Sequence, residues 1–151
     1  MPALAALGRI LFCVLFLVSG ASKLYDIAGM VPTVENHIII PDQLATYKAQ
    51  IESMTGMPIA QVIVIATGIF EILCGALIAL NFGARVVAVL LALFVVTTIY
   101  YFHNFWTMTD PDRTVNLYQA LKNLSLIGGL LMIAGYPRPE LPPETTSYHG
   151  V

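Results

Sequence analysis

The sequence predicts an all-α fold: an integral membrane four-helix bundle with a short interfacial amphipathic helix between the first and second spans. Three observations carry this prediction. The chain is 58% hydrophobic and only 11% charged, with mean hydropathy +0.80, whereas a soluble domain is about a quarter charged. Four separate stretches approach the roughly 20 mostly apolar residues that a helix needs to cross a bilayer. The long polar segment between the first two carries a helical pattern of its own. A net charge of -2 without a basic run excludes nucleic acid as a partner and a polybasic grip on lipid head groups.

The spans cover residues 4–25, 59–80, 85–105 and 117–136, within one transmembrane domain at 1–136. The turn Asn81 to Gly83 is so short that the second and third spans must be antiparallel neighbours. An even number of crossings puts both termini on one side of the membrane. Arg9, followed by ILFCVLFLV and the small residues SGAS, also resembles a secretory signal with its cleavage site. Retention is the expectation, because the apolar stretch begins upstream of Arg9. In addition, Arg9, Cys13, Phe16, Gly20 and Lys23 recur at alternating steps of about four and three residues, which makes one helical face.

Residues 26–58 are too long for a simple connector. Within them Asp42 is an expected N-cap, and Leu44, Tyr47, Ile51 and Met54 share one side. Gly56 and Pro58 form the stop. This is a short amphipathic helix on the membrane surface or capping the bundle. Residues 137–151 are proline-rich and polar, the composition of a flexible tail.

Cys13 and Cys74 stand alone in apolar helices, without a C-x-x-C pair, and read as buried inert thiols. His37, His103 and His149 have no ligand spacing, so no metal or haem site is expected from this chain alone. Arg9, Arg85 and Arg138 belong to the terminal side, and Lys23, Lys48, Arg113 and Lys122 to the other. With Lys23 and Lys122 inside the bundle, the balance tips towards cytoplasmic termini, the expected orientation in a bacterial cytoplasmic membrane.

Ionisable groups inside a bilayer are costly unless paired or wet, so they are the informative residues. Two groups emerge. Arg9 and Glu71 are expected at depths differing by only about 6 Å at 1.5 Å rise per residue, which suggests a structural ion pair. Thr67, Gly68 and Gly75 on the side of Glu71 would let the helices approach. Towards the opposite face, Lys23, His103, Asn104, Trp106, Lys122 and Asn123 all fall at one depth. Arg85 and His103 are also a whole number of turns apart and so face one direction. Lys23, His103, Lys122 and Asn123 are therefore expected to meet in a polar pocket roofed by Trp106 and the segment after Pro41. An aromatic belt of Tyr100, Tyr101, Phe105 and Trp106 with two snorkelling lysines accounts for the same residues, and both readings stay open.

The segments LGRILFCVLFLVSGASKL, FEILCGALIAL, FGARVVAVLLALFVVTTIYYFHNFW and LKNLSLIGGLLM resemble successive signatures of the DoxX family of small four-helix membrane proteins. That resemblance spans all four helices. It marks Arg9, Ser19, Gly20, Lys23, Glu71, Arg85, His103, Asn104, Trp106, Lys122 and Asn123 as signature positions. It also implies an association with quinol oxidase and thiosulfate:quinone chemistry, and with thiol and oxidative-stress responses. A 151-residue chain is not expected to hold the extra domain of a two-part thiosulfate enzyme, so self-sufficient catalysis is not expected.

The functional expectation is a redox-associated membrane subunit binding a quinone head group or a small anion. Lys23 and Lys122 would stabilise negative charge on a reduced quinone oxygen or a sulfur anion, and His103 would exchange a proton. Ser19, Asn104, Trp106 and Asn123 would bind and cover the ligand. No cofactor motif is present in the sequence, so electrons would come from a quinone or a partner oxidoreductase. The alternative is a non-catalytic membrane anchor or assembly subunit of an oxidoreductase complex; the expected partners are the lipid bilayer and either an oxidoreductase or further copies of this chain in a homo-oligomer. Transport of a small solute has less support, because no span is broken.

Overall fold

The structure, a computed structural model, describes residues 2–136. The expected proline-rich tail at 137–151 lies outside the described residues. The helices are α1 (Pro2–Tyr25), α2 (Ile27–His37), α3 (Ala45–Thr55), α4 (Ile59–Ala79), α5 (Ala84–Phe102) and α6 (Asp112–Gly135). Short 3-10 turns occupy Asp42–Leu44 and Phe105–Thr107. Four helices, α1, α4, α5 and α6, are long and apolar enough to span a membrane, and no strand occurs among the described residues. The fold is the all-α membrane bundle that the composition predicts.

Glycine sets the main packing contact, between α1 and α4. A Cβ on Gly20 would sit 2.5 Å from the Gly68 carbonyl oxygen, and one on Gly75 would sit 3.3 Å from the Leu17 side chain. Only missing side chains permit that approach, and the close backbones gain dispersion along the whole contact. Helix α6 packs along α5, and α4 joins the two pairs. The turn between α4 and α5 needs left-handed backbone at Asn81 and Gly83, with φ of 60° at each, conformations that asparagine and glycine tolerate. Cys13, Phe16, Ile78, Leu91 and Leu130 fill the centre of the bundle.

Helix α2 was not expected within the connector. Its Ile27, Met30, Val31 and Val34 nonetheless recur at helical spacing, and Asp26 caps it by accepting a hydrogen bond from the Gly29 amide at 3.0 Å. Gly29 and Pro32 are the residues that obscure it. Val34 packs with Ala60 and Val64, so α2 covers the first turns of α4, which reach beyond the end of α1.

Helix α3 lies where the surface helix is expected. Asp42 does not cap it: the residue opens the 3-10 turn instead, and neither that turn nor α3 has a side-chain cap. Leu44, Tyr47, Ile51 and Met54 are all exposed, so the apolar stripe does not pack against the bundle and is left free for another surface. Gly56 ends the helix in left-handed backbone, φ 68°. The Glu52 carboxylate then accepts from the Ile59 amide at 2.9 Å, which ties α3 to the orphan donors at the start of α4.

Candidate functional site

Lys23 and Glu71 organise the polar interior. Glu71 is 5% exposed and is the only buried charged residue among those described. The Lys23 ammonium donates to both carboxylate oxygens, at 3.0 and 2.8 Å, and to Ser19 Oγ at 2.8 Å. All three ammonium protons are thereby used. Ser19 sits one turn before Lys23 on the same helical face, so a single stretch of α1 supplies both the cation and its further acceptor.

The expected pairing of Arg9 with Glu71 is therefore wrong. Hydropathy fixes approximate helix ends but not the offset between neighbours, and the glycine contacts fix that offset differently. With Leu17 against Gly75, counting back eight residues on α1 and forward eight on α4 puts Arg9 opposite Gly83. That is past the end of α4, about 18 Å along the axis from Glu71 at 1.5 Å per residue. Arg9 has a buried Nε without a hydrogen-bond partner among the described residues.

Beside the ion pair lies a cavity of about 380 Å³ formed by α1, α4, α5, α6 and the residue after α5. Its polar lining is Ser19, Lys23, Glu71, Thr98, His103, Gln119 and Asn123, and its apolar lining is Leu15, Phe16, Phe94, Val95 and Leu126. His103 Nδ1 is 3.1 Å from Asn116 Oδ1. The Asn116 amide nitrogen donates to the Asp112 carbonyl at 3.0 Å, which turns its oxygen towards the imidazole. Nδ1 must then carry the proton, which leaves Nε2 of the neutral ring as an acceptor.

The sequence pattern of the DoxX family matches residues 4–104. The chain belongs to the DoxX family. The inner membrane protein YphA of Escherichia coli (strain K12) is 26% identical over 133 residues, covering 88% of this chain and 82% of that protein. No solved structure matches. The family match includes Ser19, Lys23, Glu71 and His103 and stops before α6, so the wall supplied by Gln119, Asn123 and Leu126, and the Asn116 partner of His103, lie outside it.

In this DoxX family member the structure brings together Lys23, His103 and Asn123, three of the four residues expected to converge, and adds Ser19 and Glu71 to them. It does not gather the rest. Lys122 is exposed and does not line the cavity. It shares the depth of Asn123 but is turned by about 100° around the helix, the step between successive residues. Trp106 is 52% exposed and packs on Tyr100 and Phe105, so it belongs to the aromatic belt instead of roofing the pocket. Asn104 is likewise outside the cavity lining, and its side-chain oxygen is buried without a hydrogen-bond partner among the described residues. The segment after Pro41 lines a different cavity, between α2, α3 and α4. The sequence reading missed Thr98, Asn116 and Gln119. The latter two were legible: Asn116, Gln119, Asn123 and Leu126 recur at helical steps along α6.

Proposed function

We propose that this protein is a membrane subunit that holds the uncharged head group of a quinone in the cavity beside Lys23 and Glu71, for a partner oxidoreductase that supplies the electrons. One observation carries the choice of ligand: the charge of Lys23 is already balanced by Glu71. Lys122 is outside, so the site is close to neutral. A small anion would meet no surplus positive charge and would face the Glu71 carboxylate, whereas a neutral head group needs only donors, acceptors and an apolar surface. Asn123 offers an amide donor, His103 Nε2 an acceptor for a quinol hydroxyl, and Phe16 and Phe94 flat apolar walls. The volume lies in the range of small-molecule sites, about 300 to 1,000 Å³.

The name of the Escherichia coli relative supports placement in a bacterial inner membrane. With Lys23 held by Glu71 but Lys122 exposed, Arg9, Arg85 and Arg138 on the terminal side face Lys48, Arg113 and Lys122 on the other, and this even count does not by itself favour the expected cytoplasmic termini. Reporter fusions at the two termini test that orientation.

Equilibrium binding of a substituted benzoquinone to the purified protein in lipid nanodiscs tests the ligand. The wild type should bind, and Asn123→Leu and His103→Leu should each weaken binding about tenfold, the equivalent of one good hydrogen bond to a buried group. Absence of binding, or binding indifferent to both substitutions, would refute the reading.

A further inference from the structure

The cavity has a floor and a rim, and they come from different helices. Its floor is buried: Phe16 is 4%, Val95 3% and Glu71 5% exposed. Its rim is open: Leu15 on α1 is 51% exposed, and Gln119 on α6 is exposed as well. The mouth therefore lies between α1 and α6. These helices belong to different packed pairs, since α1 runs along α4 and α6 along α5. Towards the terminal side the gap closes, because Gly129 lies against the ring of Phe12 so tightly that a Cβ there would come within 2.7 Å of it.

Polarity changes along this mouth. Leu15 and Leu126, one turn from the Phe12 and Gly129 contact, sit near the middle of their 24-residue helices. Lys23 is eight residues further along α1, and Gln119 seven residues back along α6, both about 10 to 12 Å nearer the opposite membrane face. The apolar end of the opening thus meets the bilayer core, and the polar end lies towards the interface. A ligand arriving from water needs no apolar mouth at mid-membrane; one dissolved in lipid does.

We propose that the gap between α1 and α6 is a lateral slot for a membrane-dissolved amphiphile, whose uncharged head group docks near Lys23, His103 and Asn123 while its apolar tail leaves past Leu15 and Leu126 into the bilayer core. This rests on the ligand reading above and narrows it to tailed, lipid-borne quinones. The closed Phe12 and Gly129 contact directs the tail sideways and not towards the terminal face.

The experiment compares two probes in nanodiscs: a substituted benzoquinone without a tail, and the same ring bearing a decyl chain. Leu15→Trp fills the slot from an exposed position that the core does not use. Leu126→Phe fills it from the other side. Leu11→Trp, below the closed end and 63% exposed, controls for a bulky residue facing lipid. Either slot variant should weaken binding of the decyl compound about tenfold more than it weakens binding of the tailless ring, and Leu11→Trp should show no such difference. The slot is refuted if wild type binds the rings but both slot variants keep decyl binding intact, or lose both compounds equally. If wild type binds neither compound, the ligand reading itself has failed.

Discussion

Removing Lys23 should destabilise the protein more than removing Glu71, although the two form one pair. At 2.8 Å the attraction between unit charges is about 6 kcal/mol in an effective dielectric of about 20, and desolvation of both groups offsets part of it. Breaking a buried pair from one side costs about 3 to 5 kcal/mol, because the survivor is left uncompensated. Lys23→Met strands the carboxylate, which is 5% exposed and far from the ends of its helix. Its cost should fall in that range. Glu71→Gln strands instead an ammonium whose side chain is 26% accessible in the last turn of α1. It keeps the Ser19 contact and can extend towards the interface, so the loss should be smaller, about 1 to 2 kcal/mol. Thermal unfolding in detergent measures both. At about 2 to 4 °C per kcal/mol, Lys23→Met should lower the midpoint by about 6 to 20 °C. The Lys23→Met, Glu71→Leu double variant should recover most of that loss, since an apolar replacement of both partners is nearly neutral. A double variant as unstable as Lys23→Met alone would refute the electrostatic account.

Gly20→Ala should lower the unfolding midpoint, because the new methyl would meet the Gly68 carbonyl and Ile72 at 2.5 and 2.8 Å; overpacking of this kind costs about 1 to 3 kcal/mol. Gly8→Ala on the same helix meets nothing within 4 Å and should leave the midpoint unchanged or slightly raised. Lys122→Met should leave quinone-analogue binding intact while Asn123→Leu weakens it, although the residues are adjacent; equal effects in the same titration would contradict the arrangement of α6. Ile51→Glu should release α3 from the membrane surface, seen as faster amide exchange across 45–55 in nanodiscs, and unchanged exchange would show that lipid does not hold that face.

The number and length of the spanning helices were legible in the sequence because each must satisfy its own backbone hydrogen bonds in lipid. A run of apolar residues of that length has little else to become. Depth was legible on the same ground, and it correctly set Lys23, His103 and Asn123 at one level. The α1 face from Cys13 to Gly20 was legible from its helical spacing, and those residues are buried. Two further coordinates were not. The offset between α1 and α4 is decided by where Gly20, Gly68 and Gly75 let the backbones touch, and that contact gives Glu71 to Lys23 instead of Arg9. The rotation of α6 is decided by its packing along α5, and it turns Asn123 into the cavity while Lys122 faces outward. The sequence by itself determined which polar residues enter the membrane and at what height, because hydropathy acts along the chain. Only the tertiary structure decided which of them meet, because register and rotation are set by contacts between chain segments that have no common period.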